Sequence, residues 1–427
     1  PIETTYGNIN GFDATAVTKL VIEIVELLRF ADSVGTLQLL IDIFWDEPNE
    51  DIRQTITSSV KQLSEYNIDA YNHFGLMLQE NLVKYLAEMR DIDVDRVRPI
   101  VLVVWTEAIQ SDVTGAKWTA SSITIRSGAL PVSDQLLAIR DISINALFAA
   151  YDRSTNDSQR FEIIAALDAA TRTPHQAQYS NELLATTLRD TTRIVDFFLK
   201  RTGTTSFELL QHLEYRFLND YIRARDLTED AENRFACQIE SKELVTAIFR
   251  FRDEINADDW FLRFKVLVGF ESVFPGHWQD DEYDFNGASE YRNEEVIRFI
   301  EEINSENEGT WFGLVARCAA AKSADQGSFP VLGEFILKLA ERKPEVADRL
   351  LALGADDIRA FLPGFLNGLV LSGRNDLYER VLMTELGSAR SLTGIAHHIR
   401  NPSVSNSAFA SSLLECAIEK NDQHAVI

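Results

Sequence analysis

The sequence predicts an all-α fold, an α-solenoid in which HEAT-like or TPR-like helical hairpins stack into a superhelix. Proline and glycine are scarce, with 10 and 20 residues among 427, so few positions interrupt a helix. Apolar residues recur at helical spacing, and such segments follow one another about every 20 residues. A chain of this length exceeds one ordinary compact core, which favours construction by repetition.

Apolar periodicity and helix-terminating residues give the individual elements in order. We expect helices at 15–30, 37–44, 52–63, 74–89, 133–151, 158–171, 181–199, 206–225, 231–254, 258–274, 294–304, 310–321, 329–342, 344–353, 356–372, 376–387 and 404–420. Ser133 is a predicted N-cap, Pro344 suits a first helical turn, and Gly354 and Gly387 are predicted C-caps.

Two predicted helices illustrate the expected packing. In the first, the apolar face consists of Val17, Leu20, Val21, Ile24, Leu27 and Leu28, and we expect a neighbouring helix to bury it. The second helix starts after Asp258. Its apolar stripe consists of Trp260, Phe264 and Leu267, and Phe261 makes this stripe wider. This second helix should therefore be packed on two sides, with carboxylates in its first turn.

Three stretches depart from the simple helical pattern. The run Ile100–Trp105 is rich in β-branched residues and fits a buried strand or a buried helix; its helical surroundings favour the helix. Residues 111–132 are rich in Ser, Thr and Gly and predict an irregular linker or a small hairpin insertion. Residues 277–293 form an acidic and aromatic loop.

These stretches divide the chain into five predicted parts. N-terminal helical hairpins occupy 1–110, the irregular linker or insertion 111–132, and central helical repeats 133–276. The acidic-aromatic loop at 277–293 then leads to C-terminal helical repeats at 294–427.

Charge narrows the range of partners. The net charge is −25, and such a surface repels both phosphate backbones and anionic membranes, so we expect neither a nucleic acid nor a membrane as partner. The segment 189–265 is much less acidic, with 13 basic and 15 acidic residues. Arg216, Arg223, Arg225 and Arg234 could group there, although pairing with nearby carboxylates is the favoured interpretation.

Cysteine usage and hydropathy bear on localisation. Cys237, Cys318 and Cys416 are widely spaced and lie in apolar helical contexts, which predicts buried thiols in a reducing, cytoplasmic setting. No apolar run is long enough to span a membrane, and residues 1–30 do not resemble a signal peptide. Because the chain starts at Pro1 without an initiator Met, we expect it to be part of a larger polypeptide.

Sequence motifs do not indicate a catalytic, metal or cofactor site. Asp91, Asp93 and Asp95 resemble the start of an EF-hand loop, but Arg96 and Leu102 occupy the positions where that loop needs Gly and Glu. His397 and His398 are adjacent and should point to different sides of a helix. Phosphate-binding glycine motifs and serine-nucleophile motifs are missing, so enzymatic activity is not expected.

Aromatic residues in irregular segments are the candidate partner contacts: Trp118, His277, Trp278, Tyr283 and Phe285. Rigid aromatic side chains in a charged loop bury a large area on binding at little entropic cost. The alternative is that these rings fold back over the adjacent helix and belong to the core.

Two stretches, 127–174 and 332–373, resemble the helical-repeat regions of large bacterial STAND-type NTPases that act in anti-phage defence. In that family an effector and an ATPase precede a helical-repeat sensor, which recognises a viral protein. The resemblance implies a sensor region with a viral protein as partner. No Walker motif is present in this chain, so the ATPase activity of the family does not carry over.

The expected function is therefore that of a non-enzymatic, protein-binding helical-repeat module, the ligand-sensing part of a bacterial defence protein. Two alternatives stay open. One is a helical metal-dependent hydrolase that draws an acidic site from residues 277–285, and the other is a purely structural scaffold.

Overall fold

The predicted all-α helical-repeat fold is confirmed by a computed structural model. The structure describes residues 14–118, 123–174, 178–229, 237–268, 278, 284–321, 330–354, 356–400 and 407–426. It divides into two compact units, Pro1–Leu209 with Arg216–Arg252, and Leu210–Tyr215 with Asp253–Ile427. Within each unit, most packing joins helices that are one or two positions apart in the chain, as in successive helical hairpins.

The described residues up to Ala129 contain seven helices and a hairpin. The helices are α1 Ala14–Glu26, α2 Ser33–Asp46, α3 Glu50–Ser64, α4 Ile68–Phe74, α5 Met77–Ala87, α6 Asp91–Arg96 and α7 Arg98–Ala108. Short 3-10 turns occupy Leu27–Phe30 and, later in the chain, Thr202–Thr204. The hairpin consists of β1 Asp112–Trp118 and β2 Ile123–Ala129.

Sixteen further helices follow in the described residues. Those up to the middle of the chain are α8 Asp134–Arg153, α9 Asp157–Thr171, α10 Asn181–Leu199, α11 Phe207–Glu229, α12 Gln238–Asn256 and α13 Asp259–Leu267. The remaining ones are α14 Phe285–Glu302, α15 Glu308–Ala320, α16 Pro330–Arg342, α17 Pro344–Ala352, α18 Asp356–Arg359, α19 Leu362–Leu371, α20 Asn375–Ser388, α21 Leu392–Ile399, α22 Ser407–Lys420 and α23 Gln423–Val426. None of the described helices is long and apolar enough to cross a lipid bilayer.

The ambiguous run Ile100–Trp105 is helical and belongs to α7. Its buried residues Ile100, Val101, Val104 and Trp105 follow the helical period, with Pro99 in the first turn where no backbone donor is required. The β-branched composition thus reflects a helix that is buried on a broad face.

The irregular linker or small hairpin expected at 111–132 is a two-stranded antiparallel hairpin. In it, Asp112 pairs with Ala129 and Trp118 pairs with Ile123. Its first strand is held to the helical part by the Thr114 amide, which donates to the Tyr66 carbonyl at 2.9 Å. A Cβ at Gly115 would lie 3.1 Å from Cβ of Ile68, so glycine lets the strand approach α4 closely.

The prediction that the apolar face of α1 is buried is wrong. Leu20, Ile24 and Leu27 are 51%, 55% and 60% exposed, and Val17, Val21 and Leu28 are exposed with them. The opposite side of α1, which carries Ile22, packs toward α3 instead. No element in the described part of the chain lies over the remaining stripe; periodicity shows that a face is apolar and does not show what covers it.

Three predictions about helix ends also need correction. Residues 285–293, expected to belong to the acidic and aromatic loop, are helical, because Asp284 caps α14 by accepting from the Gly287 amide at 3.0 Å. The expected single helix at 356–372 is two helices, α18 and α19, because Pro363 starts a new first turn just after the turn at Phe361. Gly387 does not cap α20; the left-handed residue after that helix is Ala389, with φ of 53°. The predicted caps Ser133 and Gly354 are confirmed, since Ser133 accepts a hydrogen bond from the Leu136 amide and Gly354 has φ of 78°.

One buried carboxylate in the first unit makes stability depend on pH. Asp220 on α11 is 6% exposed and accepts a hydrogen bond from Arg223 at 2.6 Å. Burial raises the pKa of Asp220 to about 6, against the opposing effect of Arg223 and Arg216 and with a small contribution from Asp168. The pKa of Asp220 is higher in the folded protein than in the unfolded protein, so ionisation of Asp220 destabilises the folded state. This destabilisation disappears as the pH falls through 6 toward 4.

We expect the difference in the free energy of unfolding between the wild type and Asp220→Asn to shift by up to about 3 kcal/mol between pH 7 and pH 4, in favour of the wild type at low pH. Urea titrations of both proteins at one-unit pH intervals measure this difference. The comparison cancels the titration of all other carboxylates, so a difference that stays constant over the range would rule out the assignment to Asp220.

Candidate functional site

The five candidate contact residues differ in whether the structure describes their side chains. Trp278 is buried, with 4% of its surface exposed, as expected if its ring folds back onto the protein. Phe285 is the first residue of α14, and Trp118 the last residue of β1, but the placement of both side chains lies outside the described residues. His277 and Tyr283 also lie outside them. The described part of the chain therefore does not assemble these five residues into one surface.

The paired arginines predicted in the middle of the chain are confirmed for three of the four positions. Arg216 contacts Asp168, Arg223 contacts Asp220 at 2.6 Å, and Arg225 lies 3.4 Å from Asp226. Arg234 lies outside the described residues.

The aspartates that resemble an EF-hand opening are paired with arginines. Asp93 accepts from Arg90 at 2.7 Å, and Asp91 lies 2.9 Å from Arg153. Asp95 lies 3.5 Å from Arg98 and 3.6 Å from Arg153. Asp91 and Asp95 therefore share Arg153, and each of the three carboxylates has an arginine as its partner.

The two adjacent histidines face different sides of α21, as predicted. His397 is exposed, whereas His398 is buried between Asn367, which lies 2.9 Å from Nδ1, and the Tyr378 hydroxyl, which lies 3.1 Å from Nε2. Burial lowers the pKa of His398 to about 4, so its imidazole is neutral at physiological pH. Among the described residues, no cluster of His, Cys, Asp or Glu could hold a metal ion.

A concave surface lies along α10 on the first unit. It consists of two neighbouring cavities of about 550 Å³ and about 300 Å³, which share Arg189 and Arg193 in their linings. This surface, called the α10 groove, is lined by Leu137, Arg140, Asp141, Phe148, Thr186, Arg189, Asp190, Thr192, Arg193, Asp196, Phe197, Lys200, Arg201 and Glu243. These residues come from α8, α10 and α12 and from the residues just after α10.

The sequence of α10 explains why this face stays open. Ser180 caps the helix by accepting from the Leu183 amide at 3.1 Å, and the apolar side of α10 is buried through residues such as Leu184 and Val195. The opposite side carries Arg189, Arg193 and, further on, Asp196 and Lys200, spaced by four, three and four residues. This spacing keeps one polar stripe on one helix face. Because α8 and α12 flank the stripe, the open face is concave.

A pair of stacked rings forms the apolar part of the groove. Phe148 of α8 and Phe197 of α10 have ring centroids 3.9 Å apart and an interplanar angle of 5°. The guanidinium carbon of Arg201 lies 3.5 Å from the centroid of Phe197, and that of Arg193 lies 5.8 Å from the centroid of Phe148. Cation–π contacts of this kind hold both guanidinium groups against the rings.

Most charges in the groove are already paired. Arg193 lies 2.8 Å from Asp141, and Asp196 lies 3.8 Å from Arg250. Arg201 makes two hydrogen bonds to Asp152, at 2.7 and 2.6 Å, in the bidentate geometry favoured by guanidinium groups. These pairs shape the walls and leave little charge available for a ligand.

Arg189 and Lys200 are the exceptions. Both are exposed, and within the part of the chain that the structure describes neither forms an ion pair. The one hydrogen bond of Arg189 runs from Nε to the Ala185 carbonyl at 3.2 Å, which leaves both Nη groups available. Glu243 on the α12 side is likewise exposed and outside the ion pairs of the described residues.

The buried Arg140 connects helices that line the groove. Its guanidinium is 1% exposed and donates to Asp190 at 2.7 Å, to the Ala170 carbonyl at 2.8 Å and to the carbonyl of Ile109. A buried arginine with its donors satisfied joins α8 to α10 and to the ends of α7 and α9. Arg140 therefore fixes the relative position of the two helices that form most of the groove.

The groove presents charged, aromatic and hydroxyl side chains. None of its described lining residues is His, Cys or Ser, and the Thr192 hydroxyl donates to the Leu188 carbonyl at 2.9 Å. What it offers to a ligand is two available cations, an aromatic surface and a carboxylate. Sequence reasoning missed these residues, although the low acidity of 189–265 pointed to this part of the chain.

Comparison of the chain with protein-family models, with curated proteins and with solved structures gave no match in any of the three cases.

Proposed function

We propose that this chain is a non-enzymatic, protein-binding helical-repeat module and that its partner binds in the α10 groove. The observation that carries the proposal is the pair of available cations, Arg189 and Lys200, beside the Phe148–Phe197 stack in a concave surface. Helical-repeat folds commonly present such concave faces to partner proteins. Aromatic and arginine side chains are also the residues that most often dominate binding energy in interfaces.

The proposal extends to the partner's origin through the resemblance of 127–174 and 332–373 to the sensor regions of STAND-type defence proteins. On this basis the chain is the ligand-sensing part of a bacterial defence protein, and the partner is a viral protein. The geometry of the groove supports protein binding, and the resemblance alone supports the viral origin.

Blocking the groove without changing its charge tests the function. Thr192 lies in the groove and is partly exposed, so Thr192→Trp places an indole where the partner would lie. We expect the affinity for the partner to fall by about tenfold or more while the melting temperature changes little. The partner is obtained by capture from phage-infected bacterial lysate, identified by mass spectrometry, purified and titrated by calorimetry.

Thr384→Trp is the matched control. Thr384 is an exposed threonine on α20, and its hydroxyl donates to a carbonyl four residues earlier, as does that of Thr192. The control should bind the purified partner as the wild type does. Equal binding by Thr192→Trp, or no specific capture by the wild type, would contradict the proposed function.

A further inference from the structure

The charge pattern of the α10 groove indicates what kind of segment it holds, if the proposed function is correct. We propose that the groove binds an acidic polypeptide segment, with one carboxylate on Arg189, a second on Lys200, and an apolar side chain between them against the Phe148–Phe197 stack. The proposal rests on the availability and spacing of these groups.

The two cations are well placed to pair with carboxylates. The Nη groups of Arg189 keep the planar fork that binds a carboxylate through two hydrogen bonds, because its described hydrogen bond uses Nε. Lys200 follows the last residue of α10 and is exposed. Eleven residues separate the two, which corresponds to about 16 Å along a helix axis. An extended ligand spans this distance with about five residues, so its two acidic groups would be about five positions apart.

The aromatic stack occupies the interval between the cations, nearer to Lys200. Phe197 lies three residues before Lys200 and is buried, whereas Phe148, stacked on it, is partly exposed and provides the accessible ring surface. A leucine or aromatic side chain on the ligand could bury apolar area there, adding affinity that charge pairs alone would not supply. The ligand is therefore acidic and amphipathic instead of uniformly charged.

The opposite wall restricts the ligand further. Glu243 places a carboxylate on the α12 side of the groove, whereas Asp196 on α10 lies 3.8 Å from Arg250 of α12 and is paired with it. A hydrogen-bond donor on the ligand, such as an amide or a hydroxyl, fits beside the exposed Glu243, whereas a third carboxylate there would be repelled.

The same wall argues against a nucleic acid. A phosphate backbone carries a charge at every step and would place some of them against Glu243, while the protein as a whole has a charge of −25. An acidic peptide avoids this because it can carry only two charges, one at Arg189 and one at Lys200. Beyond about 8 Å the general acidity of the protein is screened at physiological salt, so local pairing decides which ligand binds.

Selection of ligands from a displayed library of random 15-residue peptides tests the proposal. The wild type, Arg189→Glu/Lys200→Glu and the control Lys61→Glu/Lys420→Glu each serve as the target. The two double variants change the net charge equally, and Lys61 and Lys420 are exposed lysines outside the groove. Circular dichroism and melting temperature establish that all three are folded.

We expect peptides selected on the wild type and on the control to be about twofold enriched in Asp and Glu, with apolar residues between the acidic positions, and to lose about tenfold in affinity on Arg189→Glu/Lys200→Glu. Their affinity for the wild type should also fall as salt is raised. Selection of equally acidic peptides on all three targets would overturn the proposal. It would also be overturned if peptides selected on the wild type were not enriched in Asp and Glu. Binding of heparin or duplex DNA that competes with the peptides would also overturn it, since it would show a general polyanion site.

The outcome for the acidic ligand is separable from that for protein binding. If Thr192→Trp abolishes capture of the partner while Arg189→Glu/Lys200→Glu retains it, the groove binds protein and the assignment of an acidic segment is wrong. If Thr192→Trp has no effect, the groove itself is not the binding site.

Discussion

Lys265→Met is expected to lower the free energy of unfolding by about 3 to 5 kcal/mol. Lys265 on α13 is 1% exposed, and its ammonium donates at 2.7 Å both to Glu214 on α11 and to Asn256 at the end of α12. Glu214 is 0% exposed, so the substitution removes a positive charge that lies 2.7 Å from a fully buried carboxylate. Urea unfolding of the wild type and the variant measures the loss.

The same substitution at Lys338 is the matched control. Lys338 on α16 lies 3.0 Å from Glu334 one turn away, but both side chains reach solvent, at 26% and 41% exposure. A partly exposed ion pair of this type contributes about 0 to 1 kcal/mol, so Lys338→Met should cost little.

The double variant Lys265→Met/Glu214→Leu should recover most of the loss, because it removes both buried charges. If Lys265→Met cost no more than Lys338→Met, the buried pair would not have the importance assigned to it.

Gly368→Ala is expected to destabilise the protein by about 2 to 3 kcal/mol, although alanine is the better helix former. Gly368 lies where α19 crosses α16. A Cβ at this position would overlap the carbonyl oxygen of Leu337 and would lie 2.6 Å from Cβ of Ala340 and 3.0 Å from the amide nitrogen of Glu341. Backbone atoms cannot rotate away, so the two helices would have to separate. Gly364, one turn earlier, is also close to α16, 3.4 Å from the Gly333 carbonyl.

Gly387→Ala provides the comparison for this prediction. Gly387 is within α20, and a Cβ there would meet no atom within 4 Å. With open space around it, alanine should stabilise α20 by about 1 kcal/mol through its helix propensity. Opposite signs for the two Gly→Ala substitutions, measured by thermal unfolding, would show that helix contact and not propensity decides the effect. A neutral or stabilising Gly368→Ala would refute the close crossing.

The groove and the fold have a common origin in the first unit. In a succession of helical hairpins, alternate helices contribute to the same face, and here α8, α10 and α12 line the groove. The apolar side of α10 provides the packing, and its polar stripe is thereby left for a ligand. Arg140 joins α8 to α10 through Asp190 and to α9 through the Ala170 carbonyl, which fixes two of the three helices that line the groove relative to each other.

Local chemistry made a large part of the fold predictable from the sequence. Apolar spacing identified α10 with its observed bounds, Asn181–Leu199. Asp258 accepts hydrogen bonds from the Trp260 and Phe261 amides, as its place before a helix indicated. The Ser-, Thr- and Gly-rich stretch at 111–132 is indeed the hairpin. Each of these features depends on residues within a few positions of one another.

Other features depend on residues that are far apart in the chain, and only the tertiary structure decided them. Lys265 meets Glu214 across 51 positions, and Arg140 meets Asp190 across 50. The exposure of the α1 stripe and the availability of Arg189 and Lys200 follow from what does or does not pack against them. The sequence by itself therefore determined where helices form and which face of each is apolar, because backbone hydrogen bonding and side-chain periodicity are local. Which faces, charges and glycines meet was decided by the packing of helices, because pairing and steric contact depend on distances in space.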